Sequence, residues 1–293
     1  MIASLYICDK SFVYNGTDSD AAIVRKMNDF CDLIEHTQCE QFKKDNKLYL
    51  NNNQFWTTKI SKQLIMSELF DISKRPAVFR DVLNRLQQGL QICNPIRICN
   101  NESLLEFLEF EDGGSACAII VFNKQNDLPN NKQIFSTIEG WREFRRAHLL
   151  KYPHDVPYFL NEAKCVFPDL VINPKTANFM TEIYESHFQK IVTCLSYLNN
   201  QIRDELKNFK GGRQAFIDAP KPYGMKCSNE GTSLPKFYIP FVCNGETKIA
   251  YCEPHLKYNC DDFGHKQRVM RVYFELPNCD DKKVYVGYIR KHI

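Results

Sequence analysis

The residues best suited to chemistry crowd into the end of the chain. Glu253, His255, Lys257, Arg268, Arg271, Tyr273, Tyr288, Lys291 and His292 all fall between Phe237 and Ile293. Acids, bases and cations held together on a small sheet are what phosphodiester cleavage without a metal requires. A base withdraws the proton of a 2′-hydroxyl, an acid protonates the 5′-leaving oxygen, and Arg or Lys offsets charge on the phosphorus oxygens. Histidines suit both proton transfers because their reference pKa lies near neutrality. This reading makes His255 and His292 the base and acid in either order. Arg271 and Tyr273 complete the catalytic set, and Lys257, Arg268 and Lys291 hold the substrate phosphate. The competing reading is a polar sheet face whose groups cap strands, pair as ions or bind a partner.

Those residues need strands to position them. Four are expected, over Phe237–Cys243, Lys248–Cys252, Arg268–Leu276 and Lys283–Ile289. Asn244-Gly245 joins the first two as a hairpin turn, and Asn278 to Asp281 turns between the last two. Alternation puts Arg271 and Tyr273 on one face of their strand. It puts Tyr285 and Gly287 on one face of the next, with Val284, Val286 and Tyr288 on the other. Register, which decides what joins Arg271, is not legible from the sequence.

The stretches Arg271-Val-Tyr-Phe-Glu and Val286-Gly-Tyr-Ile-Arg-Lys-His292, in a compact sheet after a helix, resemble the RelE/HigB-type toxin domains of bacteria. Those are small α+β endoribonucleases that generally need no metal. The resemblance covers about a fifth of the chain, and residues 1–210 have no counterpart in it. It implies a toxin-like or phage-defence protein that cleaves or binds RNA, with a protein partner such as an antitoxin or a defence-complex subunit. The alternative is a non-enzymatic subunit that senses or scaffolds a partner.

Charge agrees with an anionic partner for this end. From Lys210 to Ile293 there are 14 Lys/Arg against 9 Asp/Glu, whereas the whole chain of 293 residues carries only +3. Composition is 44% hydrophobic and 13% aromatic, enough for a substantial core. The 13 cysteines form no regular framework. The amino-terminal stretch lacks a basic segment followed by a long apolar run, and no window approaches a membrane span. The expectation is a cytoplasmic protein with reduced thiols, no membrane association and no cofactor.

Upstream, the sequence predicts an α+β protein in three parts. A mainly helical α/β region covers 1–210, a linker or long loop 211–235, and a small antiparallel sheet domain 236–293. Expected elements are a strand at Ile2–Ile7 and a helix from Asp18 with Ile23, Met27, Phe30, Leu33 and Ile34 on one face. A loop follows at Lys43–Asn53, then helices at Lys59–Phe70 and Pro76–Leu90. A buried strand is expected at Ala116–Phe122, and helices at Ile138–Lys151 and Pro174–Phe209. The last of these alternatively packs on the C-terminal sheet and belongs with it.

Three further groups carry residue types that could do chemistry. Cys243, Cys252, His255, Cys260 and His265 lie within 23 residues, but without paired CxxC knuckles, so core roles are preferred over zinc. Asp9, Asp18 and Asp20 form an acidic set of the kind found in metal-dependent nucleases, and helix capping is the preferred reading. Arg142, Arg145, Arg146 and Lys151 form a basic stripe read as a solvated helix face, with Trp141 and Phe144 buried behind it. P-loop, dinucleotide-binding, serine-hydrolase and zincin motifs do not occur.

Overall fold

The computed structural model describes residues 1–39, 42–95, 101–123, 128–202, 204, 218–228, 235–243, 245–258, 270–275 and 283–291. The chain is α+β, and it divides into two compact units, Met1–His148 and Leu149–Ile293.

The first unit is built on a parallel sheet. Its strands are β1 (Ile2–Ile7), β2 (Asn46–Leu50), β3 (Asn94–Pro95), β4 (Ser115–Ile120) and β5 (Ile134–Phe135), in the order β3-β2-β1-β4-β5. β1 pairs in parallel with both β2 and β4. The chain therefore winds outward on one side of β1, then returns to wind outward on the other. Central strands of such a sheet are covered on both faces, which is why β1 and β4 read as apolar runs. The helices are α1 (Asp20–Thr37), α2 (Asn52–Phe55), α3 (Met66–Leu69), α4 (Arg80–Gln91), α5 (Asn101–Leu108) and α6 (Ile138–Lys151), the last of which runs past the boundary at His148. In α1 the anticipated stripe Ile23, Met27, Phe30, Leu33 and Ile34 is buried, and the Ser19 hydroxyl caps the helix by accepting from Ala22 N.

Two expectations here need correction. The stretch 43–53 is not a loop throughout, because β2 lies within it. Leu48 and Leu50 supply a short alternation, and the parallel neighbour β1 supplies the hydrogen bonds. The segment 59–70 is helical only over Met66–Leu69, and Lys59 bridges Ile65 in antiparallel fashion.

The second unit carries α7 (Val156–Val166), β6 (Leu170–Ile172), α8 (Thr176–Met180) and α9 (Tyr184–Asn200). Then come β7 (Lys226–Ser228), β8 (Tyr238–Cys243), β9 (Glu246–Tyr251), β10 (His255–Tyr258), β11 (Met270–Phe274) and β12 (Val284–Lys291). Its main sheet has the order β6-β12-β11-β10-β7, antiparallel except for the β12–β6 pair. One face packs on α7 and α9 through Leu256, Val272, Ile289, Phe159, Leu195 and Leu198. The other face receives the β8–β9 hairpin through Phe237, Ile239, Phe241, Cys252, Tyr273 and Tyr285.

The anticipated boundary at 211–235 is thus displaced. The division falls at His148/Leu149, because β6, α7 and α9 belong to the core of the C-terminal sheet. β7, inside the expected linker, is an edge strand of that sheet. The long helix anticipated from Pro174 is split into α8 and α9, and its C-terminal part packs on the sheet, as the alternative reading held. No helix among the described residues is long and apolar enough to cross a membrane.

Candidate functional site

Register on the C-terminal sheet sorts the polar residues into rows. Lys257 lies opposite both Lys226 and Arg271, and Arg271 lies opposite Arg290. Directly opposed residues share a face. Lys226, Lys257, Arg271 and Arg290 therefore form a row of four cations running across β7, β10, β11 and β12. One residue along, Cys227, Leu256, Val272 and Ile289 form the row that enters the helical core. One further along, Ser228, His255, Tyr273 and Tyr288 form a second polar row, on the cationic face. The strand period of two fixes this alternation of cationic, apolar and polar rows.

The second row is tightly held. His255 is 0% exposed and Tyr273 is 0% exposed. The His255 ring lies between Ser228 Oγ, 3.0 Å from Nε2, and the Glu253 carbonyl oxygen, 3.2 Å from Nδ1. A carbonyl only accepts, so Nδ1 carries the proton and, in the neutral ring, Nε2 accepts from the Ser228 hydroxyl. Tyr273 packs on the His255 ring at 4.9 Å and stacks with Phe237 at 5.7 Å. Arg271 Nη1 donates to Tyr273 Oη at 3.4 Å, which links the two rows.

Exposure grades along the cationic row. Lys226 is exposed, Lys257 and Arg290 are half-buried, and Arg271 is buried at 6%. The Arg290 guanidinium sits 4.4 Å from the centre of the Phe179 ring, which also meets Tyr288 edge-on at 5.4 Å. Arg290 Nε is buried with no hydrogen-bond partner among the described residues. Like charges opposed across strands repel, which favours an anion on this face. The arrangement is suited to gripping a phosphate.

A bulge shapes the face further. Tyr273 pairs with Tyr288 and Phe274 with Val286, so Gly287 is the extra residue of β12. The slip corrects the expected alternation. Tyr285 and Tyr288 both join the hairpin side, while Val284 and Val286 enter the helical core. Gly287 is also required by space: a Cβ there would lie 2.3 Å from Ile239 Cδ1 and 2.8 Å from Cys252 Cβ.

Of the anticipated site residues, the sheet brings together His255, Arg271, Tyr273 and Lys257. Lys291 is not among them. It lies opposite Met270, on the face that holds the helical core, and its ammonium is 3.8 Å from Glu182. His292 and Arg268 lie outside the described residues, as do Cys260 and His265 of the weighed zinc set. Cys252 is buried in the hairpin core, with its thiol pushed up to about 12 by burial. Sequence reasoning missed Lys226, Ser228 and Arg290. The first two lay in the presumed linker. Arg290 could have been chosen over Lys291 from its two-residue spacing to Tyr288.

The two weighed groups of the first unit resolve separately. Asp20 lies in the first turn of α1, as a dipole partner should, whereas the cap is Ser19 and Asp18 instead accepts from Lys26 and Asn15. Asp9 is buried beside Tyr6. The basic stripe is a solvated face only in part: Lys151 is exposed and Arg142 half-buried, but the other two members are buried. Arg145 is 1% exposed between the Phe42 and Trp141 rings, 5.1 Å from each, and Arg146 is buried and paired with Glu139 at 2.8 Å. Trp141 and Phe144 are buried as expected. Comparison with family models, curated proteins and solved structures gives no match.

Proposed function

We propose that residues 149–293 bind RNA through its phosphates at the Lys226–Lys257–Arg271–Arg290 row. The observation that carries this reading is the opposed register of four cations on one face. The half-buried Arg290 guanidinium over Phe179, a ring that also meets Tyr288, offers both a phosphate contact and aromatic surface. The setting proposed with it is a cytoplasmic toxin-like or defence protein that also meets a protein partner. Metal-independent cleavage is the enzymatic form of the proposal, with His255 and His292 as base and acid in either order and Tyr273 donating a hydrogen bond. His255 is enclosed, so that form requires substrate binding to open the Phe237 side.

A second reading, a partner-binding module without catalysis, draws on one feature. The outer face of the β8–β9 hairpin exposes Tyr238 at 52%, Val242 at 75% and Ile249 at 65%.

The test is fluorescence anisotropy with labelled single-stranded RNA, followed by a cleavage gel with and without EDTA. Lys226→Ala and Arg290→Ala should each weaken binding about 10-fold or more. Each should lower the salt slope by about 0.7. Unchanged affinity and slope in both variants overturns the RNA reading. Cleavage that survives EDTA supports the acid/base form, and cleavage that requires added magnesium overturns it.

A further inference from the structure

The parallel sheet of residues 1–148 reverses its winding between β1 and β4. Open α/β sheets place ligands outside the carboxyl ends of their strands at such a reversal. A cavity of about 550 Å³ opens at the carboxyl ends of β4 and β5, within the size range of small-molecule sites. Three elements converge on it. α1 supplies Lys26, Asp29 and Phe30, the segment after β4 supplies Phe122 and Asn123, and the β5–α6 connection supplies Ser136.

The apolar wall is pre-organised. Phe122 stacks on Phe12 with centroids 4.6 Å apart and planes 8° from parallel, and Phe30 meets it edge-on at 6.1 Å. Phe122 N donates to Ser11 Oγ at 2.8 Å, which ties the end of β4 to the turn after β1. The cation in the lining is already engaged: Lys26 Nζ donates to Asp18 Oδ2 at 2.5 Å and to Asn123 Oδ1 at 2.9 Å. Asp29 differs. It is exposed on the cavity wall, and its carboxylate makes no hydrogen bond or ion pair among the described residues.

Ring edges of Phe122 and Phe30, 9% and 2% exposed, share this lining with the Asp29 carboxylate, and with the lysine charge offset by Asp18 they suit a neutral ligand that joins a planar ring to hydroxyl donors. A polyphosphate would meet Asp29 with no unengaged lysine to balance it. We propose that this cavity binds a nucleoside, its base against Phe122 and Phe30 and its vicinal ribose hydroxyls donating to Asp29. This site is separate from the phosphate-gripping row of residues 149–293 and stands or falls without it.

Isothermal titration of the full chain with adenosine, guanosine, cytidine and uridine tests the assignment. At least one ribonucleoside should bind saturably. Its 2′,3′-dideoxy counterpart, and the Asp29→Ala and Asp29→Asn variants with the natural nucleoside, should each bind about 10- to 100-fold more weakly. The corresponding nucleoside triphosphate should bind no more tightly than the nucleoside. Asp29 is a solvent-exposed helix position, and an unchanged melting temperature will confirm that its variants fold. The proposal is overturned by the absence of saturable heat at millimolar ribonucleoside, by equal binding of the dideoxy form, by unchanged affinity in both variants, or by a tenfold tighter triphosphate.

Discussion

Lys257 and Arg271 stand directly opposite one another on β10 and β11, on the same face of the sheet. Opposed like charges on neighbouring strands repel. The same opposition recurs between Lys226 and Lys257 and between Arg271 and Arg290. A ligand that brings negative charge adds counter-charge along the whole row.

The first prediction separates stability from binding. Lys226→Met keeps the aliphatic stem on the sheet and removes one charge from the row. Its urea midpoint should be equal to or higher than wild type, while RNA affinity falls about 10-fold. Inorganic phosphate should raise the melting temperature of wild type more than that of the variant. A variant that is less stable and binds RNA as well as wild type would contradict the role assigned to the row.

The second concerns the bulge. A Cβ at Gly287 would lie 2.3 Å from Ile239 Cδ1 and 2.8 Å from Cys252 Cβ, so Gly287→Ala drives the hairpin from the sheet. Overpacking of this kind typically costs about 1–3 kcal/mol. Ile239→Val shortens the nearer obstacle and should recover part of the loss in the double variant. Chemical denaturation of the two single variants and the double measures the coupling, and strict additivity would show that Ile239 is not the obstacle.

The third is a pH effect in the first unit. Asp9 is buried, its Oδ2 has no hydrogen-bond partner among the described residues, and burial raises its pKa. A carboxyl with a raised folded pKa contributes stability below its unfolded pKa and loses it as pH rises through the folded value. Ionised Asp9 therefore opposes folding at neutral pH. Asp9→Asn should melt about 2 °C or more above wild type at pH 7, and the gain should vanish as pH falls below the unfolded carboxylate range. An equal shift at both pH values would point to packing, not ionisation.

The parts of this fold that were legible in sequence are those whose pattern is local. The stripe of α1, the apolar run of β4 and the limits of α6 follow from period and capping alone. What was not legible depends on partners distant in sequence. β2 and β6 are short strands stabilised by parallel neighbours, and β7 carries only Cys227 toward the core. The missing register had the same effect on the site. Arg271 and Tyr273 share a face by alternation, but only pairing shows that Lys226 and Arg290 extend the row and that Lys291 leaves it. The burial of Arg145 was hidden because its aromatic partner Phe42 lies outside α6.

The last prediction concerns His255, where a structural and a chemical role diverge. Its ring is enclosed, donating from Nδ1 to the Glu253 carbonyl and accepting at Nε2 from Ser228. Ser228→Ala removes the partner of a buried ring nitrogen and should destabilise the unit by about 1–3 kcal/mol. It leaves the imidazole itself in place. His255→Ala removes the imidazole, the packing against Tyr273 and both hydrogen bonds, and should be the more destabilising of the two. If His255 only positions Tyr273 and Arg271, the loss of RNA affinity in each variant will follow its loss of stability, and any cleavage will fall in the same proportion. If His255 transfers a proton, His255→Ala will reduce cleavage about 10²- to 10⁴-fold beyond its effect on binding, and the pH profile of the residual rate will lose one limb. Ser228→Ala, with its imidazole retained, will keep both limbs. Measuring affinity, denaturation midpoint and pH–rate profile on the same two proteins distinguishes these outcomes, and a full cleavage rate in folded His255→Ala would remove His255 from any catalytic assignment.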